Sequence, residues 1–583
     1  MSTIKKNNYK KNGWIILGVN GWAENGHDAS SVLLEVTKDN CKILGALEEE
    51  KITRKKCAFD TFPVNSVQYL LDSFDLKVED IDYIAYGWNY PKVYELASKP
   101  FPYLDNMLLL KELFPHSDIK KNIPIEYIDH HLAHAACSYR TSHFTESLII
   151  VVDGQGETES SSIWIGKNNQ INLLTKIDIK ESLGYLYEAV NSILNFKNHE
   201  SGKTMGLAPY GQPRFLQVFE DHFNFTNVFS FNDEMNDYYK AVSRFSPKNA
   251  LNDQQKIITM WQYFIKDKLD IDRRNSAINS FYEVGKDYKD LAASVQCLLE
   301  NHVIKLVENY VKQTGLANVC LSGGVALNCI MNGKILKQSF VNDIFINPAA
   351  NDAGVALGAA LELANKLGFK SKIDGNCFSP FLGIEFTNDE VINQLKIHGL
   401  KYKIYSNASE YIATSIENNK IVAIFQGKNE WGPRALGNRT ILSSARERKR
   451  LDYINNSIKE RESGRPLGPS ILVEDSDLFL KQPKSLGRYM NIAYEAEKNV
   501  DKYPAVIHVD KTFRPEFVEQ SFNSTYYEQL KAIKKITGHS IVINTSFNLK
   551  TPIIFHIEDA IQYFNSSNID ALVFNNQIVL EKL

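Results

Sequence analysis

The chain has 583 residues, 44% hydrophobic and 23% charged, with a formal net charge of −3 at pH 7. That length exceeds what one hydrophobic core organises, so two or more domains are expected. The near-neutral charge excludes a nucleic-acid binder that relies on a broad basic face, but leaves room for a local cationic pocket. No stretch approaches the roughly twenty apolar residues that span a bilayer. The cysteines at 41, 57, 137, 297, 320, 329 and 377 form neither a C-x-x-C pair nor an even framework, so reduced thiols in a cytoplasmic protein are expected.

In chain order, the polar, Lys-rich residues 1–13 read as a flexible leader without a signal-peptide core. Residues 14–19 form an apolar run stopped by Asn20-Gly21, and residues 31–34 and 43–46 continue the strand pattern before the dense charge of 48–50 and 54–56. His130 and His134, four apart, share one face of a helix, and His131 then faces away. Residues 147–154 are a second apolar run, ending in Asp153-Gly154, with residues 160–165 as its partner strand. Two lobes that open in this way are the plan of the actin, sugar-kinase and heat-shock ATPase superfamily, an analogy of fold only.

A helical middle is expected over 252–314, where residues 290–299 and 302–307 have the spacing of packing helices. The stretch 215–239, rich in Phe, Tyr and Asn, reads either as part of a lid or as a packing excursion. Residues 319–328 then run from a strand into Ser322-Gly323-Gly324, where bare backbone N–H groups can meet a phosphate. With Lys203 upstream and Asp352 beyond, this points to an ATP cleft.

His130, His134, Asp153 and Asp352 make a candidate mononuclear metal site. Imidazole and carboxylate ligands with open positions suit iron, zinc or manganese, and these four alone do not choose among them. The bland alternative, histidines that are solvated or paired with acids, is weakened by two aspartates that each follow an apolar run. From Gly383 onward the signature is cationic: Trp431-Gly432-Pro433-Arg434, Arg439, Lys459, Arg461, Arg465 and Arg514-Pro515, then Asn544-Thr545-Ser546-Phe547-Asn548 after the strand 540–543. Such a set suits a small phosphorylated anion. Any single arginine is more simply read as a surface salt bridge; Arg434, Arg465 and Arg514 together are not.

Ordered motifs carry a resemblance that runs nearly end to end. They are Asn20-Gly21-Trp22 with His27-Asp28-Ala29-Ser30, Thr53-Arg54-Lys55-Lys56, and residues 130–136, 153–157, 202–207, 322–328, 432–439 and 544–548. The chain resembles the O-carbamoyltransferase family that includes the tobramycin and nodulation-factor carbamoyltransferases. The resemblance implies an α/β actin-like, ATP- and metal-binding domain over 14–365, similar to the tRNA threonylcarbamoyl transferase subunit, a linker over 366–382, and an α+β YrdC-like domain over 383–583 that binds carbamoyl phosphate. It also implies that carbamoyl phosphate and ATP give a carbamoyl-adenylate, whose carbamoyl group passes to a hydroxyl of a small-molecule, natural-product acceptor.

Residue by residue, the resemblance implies Fe(2+) or another divalent metal on His130, His134, Asp153 and Asp352, and ATP with Mg(2+) lined by Gly154, Gln155, Lys203, Gly323, Gly324 and Asn328. Carbamoyl phosphate would be held by Lys459, Arg465, Arg514 and Ser546, with Arg434 neutralising its phosphate and Asn544 bonding its amide. Lys56 would reach toward phosphoryl charge, and His27 would be the general base, unless it serves only as a structural partner of Asp28. After Arg465-Pro466 the chain carries Leu467-Gly468-Pro469-Ser470, a local departure from the family's turn.

Three rivals share parts of this pattern: a small-metabolite kinase, a tRNA threonylcarbamoyl transferase, and an enzyme that carbamoylates a protein cysteine in hydrogenase maturation. The kinase has no use for the cationic domain, the charge shows no RNA track, and the zinc repeats of the third are absent. No nucleic acid and no membrane partner is expected. The acceptor and the oligomeric state, a homodimer included, stay open; the motif-free loops 90–114 and 213–275 are expected to shape the acceptor pocket.

Overall fold

The computed structural model describes residues 11–244, 253–375, 377–481 and 483–582. Most of the leader, the start of the helical middle and part of the stretch 213–275 lie outside the described residues. The first sheet contains β1 (Trp14–Asn20), β2 (Ser30–Val36), β3 (Cys41–Glu48), β4 (Tyr83–Tyr86) and β5 (Ile125–Tyr127), in the order β3-β2-β1-β4-β5. A meander of antiparallel strands, β1 to β3, is extended by two parallel ones.

The second sheet repeats this plan. It contains β6 (Glu146–Val152), β7 (Glu159–Lys167) and β8 (Gln170–Asp178) and, after the small hairpin β9 (Phe223–Phe225) and β10 (Phe229–Phe231), β11 (Asn318–Ser322) and β12 (Asp343–Ile346). Its order read from the meander outward, β8-β7-β6-β11-β12, is that of the first sheet. The repetition of lobes expected from the two apolar runs is therefore a repetition of topology. Both β1 and β6 are buried along almost their whole length, which is why they read as unbroken apolar runs rather than as alternating ones.

Between the sheets lies the helix Val355–Lys366, whose Gly and Ala residues allow unusually close packing. A Cβ on Gly358 would sit 1.8 Å from the Ala133 carbonyl oxygen, and one on Gly18 would sit 2.0 Å from that of Ala356. The helix is thereby pressed against both β1 and the helix His130–Thr141. Buried Arg140 on the latter donates to Glu362 at 2.7 Å and to Ser371 at 2.8 Å, clamping the pair.

The third sheet has eight strands: β13 (Lys403–Ile404), β14 (Val422–Phe425), β15 (Arg439–Ser443), β16 (Gly468–Leu472) and, past a ribbon of β17 (Tyr494–Glu495) and β18 (Thr512–Phe513), β19 (Glu516–Val518), β20 (Val542–Ser546), β21 (Ala571–Phe574) and β22 (Ile578–Glu581). Its order is β13-β22-β21-β14-β15-β20-β16-β19, a mixed sheet. No described helix is long and apolar enough to cross a membrane.

Several expectations change at the level of elements. The described helical middle is two helices, Asp253–Leu269 and Lys286–Thr314, and the two packing segments are one helix of 29 residues. The region 90–114 is no loop but carries the helices Tyr90–Leu96 and Asn106–Leu113. Asn89 and Asp105 cap them, each accepting a backbone N–H. The described part of 213–275 is also largely helical, and Phe219, Phe229 and Phe231 of the aromatic stretch are buried in one core cluster with Trp261. That stretch is packing.

Replacing Gly358 with Ala overpacks the contact between the two helices. A loss of about 1–3 kcal/mol is expected, read as a lowered thermal midpoint; an unchanged midpoint would show that the helix can retreat from Ala133.

Candidate functional site

The helix His130–Thr141 begins with the two predicted ligands. Asp129 makes no side-chain cap; instead Glu157, from the motif after β6, accepts the His130 N–H at 2.9 Å and the Asn89 N–H at 3.0 Å. A buried carboxylate thus replaces the ordinary cap and anchors the turn that carries both histidines.

One helical turn places the Nε2 atoms of His130 and His134 3.1 Å apart. His130 Nδ1 faces the Gly87 carbonyl oxygen at 3.1 Å, which makes that nitrogen the donor and leaves the Nε2 lone pair directed inward. His134 Nδ1 lies 3.3 Å from Ser322 Oγ, at the end of β11. Asp153 Oδ1 accepts the Gly154 and Gly324 N–H groups at 2.8 and 3.0 Å, and Oδ2 faces the two Nε2 atoms at 3.3 and 3.1 Å. Asp352 Oδ1 completes the group at 3.6 and 3.5 Å. All four ligand atoms lie within 4.8 Å of one another. Inward lone pairs, fixed outer hydrogen bonds and two buried carboxylates fit a divalent ion.

Burial opposes charge on His130, yet the carboxylates of Asp352 and Asp153 push its pKa well above the ordinary imidazole value. Burial and Asp352 work against ionisation of Asp153, but hydrogen bonds from both imidazoles hold it well below the ordinary range. The pocket is built for positive charge. His131 turns away as expected, with Nδ1 2.9 Å from Ser162 Oγ, and burial takes it down to about 3.

His27 stands beside this group, with Nδ1 3.3 Å from Asp28 and Nε2 3.7 Å from Asp352. Burial lowers its pKa, but Asp352 and then Asp28 raise it to about 9. A cation held by Asp352 would offset that charge and return the imidazole toward a value at which it accepts a proton.

The residues expected around the nucleotide have mixed surroundings. Gly323 (φ +90°) passes so close to Val152 that a Cβ would lie 2.2 Å from its carbonyl oxygen, and this turn delivers the Gly324 N–H to Asp153. Gly154 packs on the Tyr185 ring, and Gln155 Oε1 accepts the Tyr185 hydroxyl at 2.7 Å. Asn328 caps the helix Cys329–Lys337 through Met331 N at 3.1 Å and donates to Gln296. Lys203 bridges Glu200 at 2.7 Å and Glu462 at 2.9 Å. Lys56 is 3.7 Å from Glu200 on one side and Arg465 is 3.2 Å from Glu462 on the other, so alternating charges link the first half of the chain to the second.

The C-terminal cations form a cluster with few acids. Neither Arg434 nor Arg514 has a hydrogen-bond or ion-pair partner among the described residues. Burial, then Arg514 and Arg465, push Arg434 down to about 9. Burial with Arg461 and Arg465 holds Lys459 well below its ordinary value. Its ammonium donates to Ser546 O at 2.6 Å, Ser546 Oγ at 3.3 Å and Asn548 O at 2.8 Å. Asn544 donates to Ala435 O at 3.1 Å, Ser470 Oγ at 2.9 Å and Glu516 at 3.0 Å, and accepts from Thr440. Arg439 is fully buried and donates to the carbonyls of Gln426 and Gly427, so it belongs to the core and not to the cluster.

Arg461 belongs to the cationic signature of the sequence, whereas its supporting neighbour in the sheet, Glu516, does not. Arg461 follows the π-turn Ile454–Ile458 and donates to Asn455 at 2.8 Å; burial, then Arg465, take it well below its ordinary value. The π-turn that presents Arg461 has no sequence signal. Glu516 supports Asn544 and Ser470 from inside the sheet, and burial pushes its carboxyl up to about 8.

What aligns the halves is a buried pair. Lys51 and Glu48 lie 2.8 Å apart; Lys51 Nζ donates to the Glu430 and Gly432 carbonyls at 2.6 and 2.9 Å, and Glu48 accepts the Gly432 N–H at 2.7 Å. Gly432 (φ +99°) packs on Pro348, where a Cβ would lie 2.5 Å from the carbonyl oxygen. Arg434 follows two residues later.

The family model described as carbamoyltransferase N-terminus matches residues 96–361, and the one described as carbamoyltransferase C-terminus matches residues 413–582. Nodulation protein NolNO of Sinorhizobium fredii is 31% identical, covering 95% of this chain and 79% of that protein. Uncharacterized protein sll1178 of Synechocystis is 31% identical over 97% of this chain and 96% of its own length. Uncharacterized protein MJ1058 of Methanocaldococcus jannaschii is 32% identical over 86% and 82%.

Metal analysis of the purified protein should find about one divalent ion per chain, lost in Asp352→Asn and held about tenfold more weakly in Ser322→Ala. Equal metal content in all three proteins would remove the tetrad as its site. Glu516 titrates near 8 when folded against 4.5 in the reference state, so its contribution to stability is complete at low pH and is lost as pH rises through 8. Thermal midpoints of Glu516→Gln should therefore fall less than those of the wild type between about pH 6 and pH 9.

Proposed function

From the premise that this chain belongs to the carbamoyltransferase family and is a carbamoyltransferase, we propose that it is an ATP-dependent O-carbamoyltransferase acting in the cytoplasm on a hydroxyl of a small-molecule acceptor. In this reading residues 14–365 are an actin-like domain for ATP with Mg(2+) and a divalent metal, iron(2+) in the first instance; 366–382 are a linker; and 383–583 are a YrdC-like domain for carbamoyl phosphate. The observation that carries it is the cluster of Arg434, Arg461, Arg465, Arg514 and Lys459, in which two guanidiniums have no acceptor among the described residues. Guanidiniums held half-buried without counter-charge cost free energy that an anionic ligand recovers.

Arg434, Arg465 and Arg514 bind the phosphate of carbamoyl phosphate through charge-assisted hydrogen bonds, with Ser546 Oγ at the same edge. Lys459 shapes the loop 546–548 through its contacts to Ser546 and Asn548 and presents Ser546. Asn544 holds the adjoining strand ends together and offers its carbonyl edge toward the carbamoyl amide once Thr440 releases it. Lys56 and Lys203 meet phosphoryl charge as ligand oxygens compete with Glu200 and Glu462. Gly154, Gln155, Gly323, Gly324 and Asn328 border the nucleotide. His130, His134, Asp153 and Asp352 would hold the metal, which when bound supplies Lewis-acid polarisation.

After carbamoyl phosphate, water and ATP give carbamoyl-adenylate with release of phosphate and pyrophosphate, the acceptor oxygen bonds to the carbamoyl carbon and AMP leaves. His27 takes the hydroxyl proton. The direct test incubates the protein with ATP, carbamoyl phosphate and iron(II) without acceptor, with mass spectrometry for carbamoyl-adenylate and an assay of pyrophosphate. Both products are expected from the wild type and from His27→Ala, which should lose transfer by about 10²–10⁴-fold. Arg514→Ala should make neither. Normal intermediate formation by Arg514→Ala removes that residue from the anion site, and normal transfer by His27→Ala removes the base.

A further inference from the structure

We propose that His199 is a second substrate-binding imidazole, and that the acceptor oxygen is held at the edge shared by the rings of His27 and His199. The inference rests on the transferase reading above and adds a residue to it. The two ring centroids are 4.7 Å apart at an angle of 56°, yet no hydrogen bond joins them. His27 has carboxylates near both nitrogens, whereas the nitrogens of His199 have no partner among the described residues.

The surroundings hold His199 there against its backbone preference. It has φ +59°, in the left-handed region that non-glycine residues rarely enter. Buried Glu188 fixes this conformation by accepting the His199 N–H at 3.0 Å and the Ser201 hydroxyl at 2.7 Å, and Asn191 on the same helix donates to Lys197 O at 2.8 Å. The facing wall is strained as well: Asn25, Asp28, Cys57, Ala58 and Asp60 all have positive φ, and the Asp28 N–H donates to Cys57 O at 2.6 Å. Left-handed backbone thus occurs on both walls that face each other. Phe59, 47% exposed, packs its ring 5.1 Å from His199 and 6.3 Å from His27. An acceptor hydroxyl entering here thus brings an apolar carbon face against that ring.

In the transfer step the acceptor oxygen forms its bond to the carbamoyl carbon, the bond from that carbon to the AMP phosphate oxygen breaks with its electron pair going to AMP, and the hydroxyl proton passes to His27. His199 hydrogen-bonds the same oxygen and aims its lone pair.

The test uses the full-length protein in single turnover, with water and hydroxylamine as nucleophilic probes. His199→Phe keeps a ring against Phe59 and His27 but removes both nitrogens; His199→Asn restores a polar donor and acceptor. For His199→Phe the pyrophosphate burst should match the wild type, AMP release through attack by water should fall by about 10²-fold, and capture by hydroxylamine, a stronger nucleophile, should persist. His199→Asn should recover part of the loss. AMP release at the wild-type rate in His199→Phe overturns the proposal, as does loss of the burst in both variants, which would mark a structural role. No burst in the wild type would instead overturn the carbamoyl-adenylate reading.

Discussion

The grip of the buried Glu48–Lys51 pair on the backbone of Glu430 and Gly432 is the contact on which the arrangement of the site depends. Both side chains belong to the first sheet and the short helix after it, and everything they hold belongs to the second half of the chain. Removing one partner of a buried ion pair costs about 3–5 kcal/mol because the other is left without counter-charge. Here it would also release the turn that precedes Arg434. The left-handed Gly432, lying on Pro348, makes the turn fit only if the segment leading to Asp352 is in place.

A second economy is the sharing of Asp352. It faces the two histidines with one oxygen and His27 with the other, so the charge state of the tetrad sets the basicity of the candidate base. Asp153 is divided in the same way: one oxygen is held by two backbone N–H groups and only the other faces the imidazoles.

The cationic cluster has the opposite character. Where the tetrad gathers acids and imidazoles, the cluster gathers guanidiniums, with Glu462 as the acid bridging to the first half through Lys203. The same bridge continues through Lys203 to Glu200 in the first half.

Much of this was legible in the chain because its signals are local. The apolar runs of β1 and β6, the i, i+4 spacing of His130 and His134, and Asp153 at the end of a strand are set by periodicity and turn chemistry, and the ordered motifs placed the family. The helices in 90–114 were missed because their apolar spacing is weak and the Asn89 and Asp105 caps went unread. His199 and Glu516 carried no local signal, and neither did the π-turn before Arg461: a left-handed histidine, a buried carboxylate and a π-turn are imposed by packing. What the sequence determined alone was the repeated strand plan, the tetrad and the presence of a cationic second half. Which cations lack a partner, and that Gly324 and Asn328 have side-by-side but different tasks, was decided only by tertiary structure, since hydrogen-bond satisfaction and burial are properties of residues brought together from distant positions.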